Sequence, residues 1–169
     1  MNDTDYKNKI LEILLNQIKH GMEPYWFITY HYKDNKTDGE EVIRDVKDIK
    51  NKFKRLIYQS RDKSIIGCGK FQYPRMVFIN EKSRFGTDQI HTHMIIEKLP
   101  SKINTQTTVE MLFKKQLPAK AKSMSKWKRL DVQRVSTDAS NLYRLARYLS
   151  KQNSLNTLTL DPFNSNLEK

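Results

Sequence analysis

One cysteine, Cys68, occurs among 169 residues, so no internal disulfide can staple the fold. That usage suits a reducing compartment, and a cytoplasmic location is the expectation. No apolar run reaches the roughly 18 residues that a spanning helix needs, so no membrane role is expected. The N-terminus also lacks the basic-then-apolar layout of a signal peptide. Asp3 and Asp5 come first, and Glu12 interrupts the apolar stretch 10–15. Repeats, low-complexity blocks and internal linkers are missing, so residues 1–152 read as a single domain. The segment 153–169, rich in Asn, Ser and Thr, reads as a loosely ordered tail. No phosphate loop occurs either, because Gly67-Cys68-Gly69-Lys70 lacks the required spacing.

Positive charge is what the chain has in excess. Lys and Arg number 31 against 19 Asp and Glu, a net +12. Segment 114–151 holds eleven basic residues and two acidic ones, Asp131 and Asp138, and so carries +9 of that total. A localised cationic region is the electrostatic footprint of a polyanion partner. A solvated lysine-rich surface would account for the charge equally well. The interleaved Trp127, Tyr143 and Tyr148, whose rings can stack on bases, favour nucleic acid.

Periodicity yields the elements. Residues 5–19 place Ile10, Leu11, Leu14, Leu15 and Ile18 at helical spacing, with Gly21 as the stop. Residues 25–32 are β-branched and aromatic throughout and read as a buried strand. Asp38-Gly39 marks a turn, and 42–59 is helical, with Val42, Val46, Ile49, Phe53 and Leu56 on one face. A short strand is expected at 64–68, firmer ones at 75–80 and 90–97, and the last two form an antiparallel hairpin. A helix at 107–116 ends at Leu117-Pro118, a strand follows at 129–135, and Asp138 caps a helix over 139–152. The order after the first helix is β-α-(β)-β-β-α-β-α. It predicts an α+β fold of ferredoxin-like, RRM-like type, with helices packed on one central antiparallel sheet.

Two short motifs carry the chemistry. In the strand 90–97, His91 and His93 are two residues apart and share a face, presenting paired imidazoles to a divalent metal. An oxygen ligand must complete a site for Mg²⁺ or Mn²⁺. Glu81, at the end of the preceding strand, is best placed, with Asp88 in the intervening loop and Glu97 at the far strand end as rivals. On the last helix Leu142, Leu145, Ala146 and Leu149 form an apolar stripe. Tyr148, Arg144 and Lys151 group on one flank of it and Tyr143 on the other. A tyrosine phenol has a pKa near ~10 and attacks phosphorus only with cationic or metal assistance.

His91-Thr92-His93 followed by Tyr148-Leu149-Ser150-Lys151 resembles the HUH endonucleases, and among them the rolling-circle replication initiators (Rep proteins) of plasmids, phages and small DNA viruses. Trp26-Phe27-Ile28-Thr29-Tyr30 looks like the first motif of that family. The similarity spans about 25–152 in the same element order. It implies a metal-dependent nickase and strand-transferase that forms a covalent 5′-phosphotyrosine intermediate. His91, His93 and Glu81 would hold Mn²⁺ or Mg²⁺, and Tyr148 would be the nucleophile with Lys151 beside it. Arg144, Arg147, Lys126, Lys128, Arg129 and Trp127 would contact single-stranded DNA or an origin hairpin. A separate helicase and the host replication machinery would supply unwinding, in the cytoplasm of the host cell.

Two departures stand out. Thr92 occupies a position the family usually fills with a bulky apolar residue. Arg144 stands where two-tyrosine members place their second tyrosine, which points to a single-tyrosine enzyme. The rival readings are an insertion-sequence transposase of the same superfamily and a non-catalytic RRM-like nucleic-acid-binding module.

Overall fold

The computed structural model describes residues 3–33, 38–58, 74–82, 90–119, 127–136, 138–151 and 165. These form four helices and one four-stranded antiparallel sheet, an α+β architecture. In chain order the elements are α1 (Asp3–Lys19), β1 (Pro24–Tyr32), α2 (Gly39–Tyr58), β2 (Met76–Lys82) and β3 (Ile90–Glu97). Then come α3 (Gln106–Met111), which continues through one π-wound turn at Leu112–Gln116, β4 (Trp127–Arg134) and α4 (Ala139–Lys151). The strand expected at 64–68, the rival ligand Asp88 and nearly all of the tail lie outside the described residues. Among the described residues no helix is long and apolar enough to cross a membrane.

Local chemistry sets the helix ends. Gly21 takes a positive φ of 81°, Met22 N bonds Gln17 O, and Gly21 N bonds Ile18 O, closing α1 with a Schellman-type cap. Asp38 Oδ1 accepts from Glu41 N at 2.7 Å, so α2 starts at Gly39, earlier than the hydrophobic spacing alone predicts. Thr105 caps α3 by accepting from Thr108 N, and Asp138 caps α4 by accepting from Asn141 N at 2.9 Å. Four hydrogen bonds to its carboxylate, from Ser136, Ser140 and Asn141, hold Asp138 well below the ordinary carboxylate range.

The strand order is β2-β3-β1-β4, with every neighbour antiparallel. Alternation divides the side chains between two faces. Trp26, Ile28, Tyr30, Phe78, Met94 and Ile96 pack against Val46, Ile49 and Phe53 of α2 and Phe113 beyond α3. This is the larger core, and burying each such side chain contributes about 1.5–3 kcal/mol. On the other face Phe27, Val77, Ile79 and Ile95 meet Leu11 and Leu14 of α1 and Leu145, Ala146 and Leu149 of α4. The expected apolar stripe of α4 therefore docks on the sheet. Thr92, the unusual middle residue of the His-x-His run, is buried on the α2 side, where its hydroxyl donates to Asn80 Oδ1 at 2.8 Å. A paired hydroxyl can occupy an otherwise apolar core position because its polar atom is satisfied.

Candidate metal centre and its rim

Glu81 and His91 are cross-strand partners on β2 and β3, and His93 lies two residues further along β3. All three lie on the sheet face on which α1 and α4 pack. Glu81 Oε2 accepts from His91 Nε2 at 3.0 Å and from His93 Nε2 at 2.9 Å. One potential ligand atom from each residue falls within 4.8 Å of the other two. Glu81 and His93 are buried, and His91 is partly exposed at the mouth. Burial pushes the Glu81 carboxyl up, but hydrogen bonding and electrostatic interaction with His91 and His93 outweigh it and hold the group below its ordinary value.

These residues fit a divalent ion. Cis ligands bound at about 2.1 Å on an octahedral metal lie about 3 Å from each other, which is the spacing of the Glu81 oxygen from each histidine nitrogen. Two neutral imidazoles and one carboxylate suit metals of intermediate hardness. Glu97, one of the rival oxygen ligands, is held elsewhere. Its carboxylate accepts from Arg75 Nε at 2.9 Å and from Arg75 N at 2.7 Å, at the opposite end of the sheet.

His93 is clamped by its neighbours. The Phe27 ring stacks on it at 5.2 Å with the planes 15° apart, and Tyr148 approaches edge-on at 6.0 Å. Thr29, its register partner on β1, puts Oγ1 3.0 Å from His93 Nδ1. Tyr148 also meets Phe27 edge-on at 6.5 Å and remains 45% exposed. Its hydroxyl-bearing ring thus stands at the boundary between the buried histidine and solvent.

A depression of about 530 Å³ opens above the centre. Its walls are Phe27, Thr29 and His31 of β1, His91 and His93 of β3, Arg129, Asp131 and Gln133 of β4, and Arg144, Leu145 and Tyr148 of α4. Of the expected DNA contacts, Arg129 and Arg144 line this space, whereas Arg147 is exposed on α4 outside the lining. Lys151 is the last residue of α4 and Lys128 lies within β4, but their side chains are outside the described part, as is all of Lys126. Tyr143 is equally exposed, at 46%, and is not part of the lining.

Trp127 corrects the expectation that it offers its ring to a base. It is only 8% exposed, on the α2 side of the sheet, with its ring 3.9 Å from that of Tyr30 and 6.1 Å from that of Tyr32. The cause is a bulge. His31 pairs with Arg129 but Tyr32 pairs with Trp127, so two steps on β4 match one on β1. That extra residue rolls Trp127 to the opposite face. A strictly alternating strand would have left it beside Arg129.

His31 and Asp131 are the rim residues that sequence reasoning missed. His31 stacks on His91 at 5.3 Å, and burial lowers its imidazole below the ordinary value, with His91, Arg129 and His93 adding to the effect and Asp131 opposing it. The i, i+2 alternation that pairs His91 with His93 applies equally to Phe27, Thr29 and His31, and was the available signal. No protein-family model matches this chain, and neither the curated proteins nor the solved structures contain a match.

Proposed function

We propose that the chain is a metal-dependent, single-tyrosine endonuclease of the HUH type, which nicks and rejoins single-stranded or hairpin-extruded DNA to initiate rolling-circle replication. The observation that carries this reading is the placement of Tyr148 against His93, one of three side chains already spaced as metal ligands. The antiparallel order β2-β3-β1-β4, with α2 and α3 packed on the same face, supports the ferredoxin-like form of the α+β fold. Arg129 and Arg144 on the walls suit a phosphodiester backbone.

Bound by Glu81, His91 and His93, Mn²⁺ or Mg²⁺ would withdraw negative charge from the scissile phosphate. Tyr148 supplies the attacking oxygen. Its Oη–P bond forms as the bond from phosphorus to the 3′ oxygen of the leaving strand breaks. The phenolic proton passes to solvent and the released 3′ oxygen takes one up. The strand's 5′ phosphate remains on Tyr148 as a phosphodiester, and attack by a 3′ hydroxyl reverses the step and reseals DNA. Arg144 lies one helical turn before Tyr148 and lines the same depression, and Lys151 follows three residues after Tyr148 in the chain, so we assign these cations to the charge that develops on the scissile phosphate. Unwinding of the duplex falls to a separate helicase and the host machinery.

The test is denaturing gel electrophoresis after incubation with single-stranded origin candidates and Mn²⁺. A covalent protein–DNA band that disappears in EDTA is the expected result. A native-gel shift without any covalent band overturns the enzyme in favour of a binding module.

A further inference from the structure

We infer that Thr29 is a positioning residue of the metal centre, fixing His93 through Nδ1 so that Nε2 is the atom turned to the ion; the inference rests on the metal reading proposed above. Thr29 sits in the middle of the central strand, with His93 as its register partner on one side and Asp131 on the other. Both of its neighbouring strands are laddered to it, and a β-branched side chain has a stiff χ1. Its hydroxyl is therefore held in place by the sheet, 3.0 Å from His93 Nδ1.

The chemistry of a hydroxyl matters at this position. Without an ion, a carboxylate oxygen only accepts, so the short contact to Glu81 Oε2 requires a proton on His93 Nε2. Nδ1 then bears the lone pair and accepts from the Thr29 hydroxyl. To ligate an ion, Nε2 must present its own lone pair, and the neutral ring carries its proton on Nδ1 instead. One proton leaves Nε2 and one returns to Nδ1, so the imidazole keeps its charge, and Nδ1–H now donates to Thr29 Oγ1. A hydroxyl donates in the first state and accepts in the second. Side chains that only donate or only accept would favour one tautomer and oppose the other. The stacked Phe27 and the edge of Tyr148 hold the ring plane, while Thr29 supplies the polar contact that selects the ligating nitrogen.

The experiment is Mn²⁺ titration calorimetry on the full chain, comparing wild type, Thr29→Val, Thr29→Ser and His91→Ala, together with ¹⁵N histidine spectra of the Zn²⁺-loaded protein. Thr29→Val, which keeps the shape and loses the hydroxyl, should bind Mn²⁺ about 10–100-fold more weakly, the usual effect of losing an outer-shell partner. Thr29→Ser should bind as wild type does. The spectra should place the metal on His93 Nε2 and the proton on Nδ1 in wild type, and Thr29→Val should lose that uniform assignment while its thermal midpoint stays put. Wild-type affinity in Thr29→Val, or equal losses in the Val and Ser variants, overturns the role given to Thr29. Wild type that binds Mn²⁺ no better than His91→Ala overturns the metal reading itself, and with it this inference.

Discussion

His91 faces Glu81 directly across the β2–β3 ladder, with Nε2 and Oε2 3.0 Å apart. Strand register, and not a loop, brings this nitrogen and oxygen together, and His93 reaches the same oxygen because alternation returns it to the same face. The three groups are therefore as well fixed as the sheet that carries them, and the centre is preorganised before any ion arrives.

Such a centre should be sensitive to each donor. His91→Ala and His93→Ala should each abolish stoichiometric Mn²⁺ binding and DNA cleavage. Glu81→Ala should weaken metal affinity, with cleavage partly restored at high Mn²⁺. Calorimetry and a cleavage assay over a range of Mn²⁺ concentrations check this, and full activity of the double histidine variant in EDTA would refute a metal role.

Tyr148 and Tyr143 are equally exposed on α4, yet only Tyr148 touches the histidine cluster. Tyr148→Phe should lose both cleavage and joining while DNA affinity stays close to wild type. Tyr143→Phe should cleave normally. Mass spectrometry of the trapped adduct should find the nucleotide on Tyr148, and an adduct formed by the Tyr148→Phe variant contradicts the assignment.

Arg129 of β4 and Arg144 of α4 both line the depression. If each touches one phosphate of a single strand, replacing both with Ala should flatten the slope of log K against log salt by about 1.4, at roughly 0.7 per contact. Binding isotherms at several salt concentrations measure it. An unchanged slope means these guanidinium groups are merely solvated.

The buried Thr92–Asn80 pair makes a prediction about stability. Thr92→Val removes the donor and leaves the Asn80 oxygen without it, which should cost about 1–3 kcal/mol in chemical denaturation. Replacing both residues with apolar ones of similar size should recover much of that loss. Metal affinity per folded molecule should not change, because Thr92 faces away from the histidines on either side of it.

Amino-acid order alone determined a good deal. Apolar spacing marked α1, α2 and α4, β-branched and aromatic runs marked β1 and β3, and alternation placed His91 and His93 on one face. These features were legible because each depends on residues only a few positions apart, where the 3.6- and 2-residue periods hold. Helical spacing likewise separated Tyr148 and Arg144 from Tyr143 across the apolar stripe of α4.

Tertiary structure decided the rest. Glu81 became the oxygen partner through the register of the β2–β3 pair, and Glu97 was withdrawn by its ion pair with Arg75. Trp127 turned into the core because one bulge on β4 broke the count that alternation assumes. His31, Thr29 and Asp131 joined the site only when β1 was set between β3 and β4. Register, bulges and strand neighbours arise from pairings between residues far apart in the chain. Local periodicity carries no term for them, so the sequence specifies which side chains share a strand face, and the assembled sheet specifies which of those faces meet.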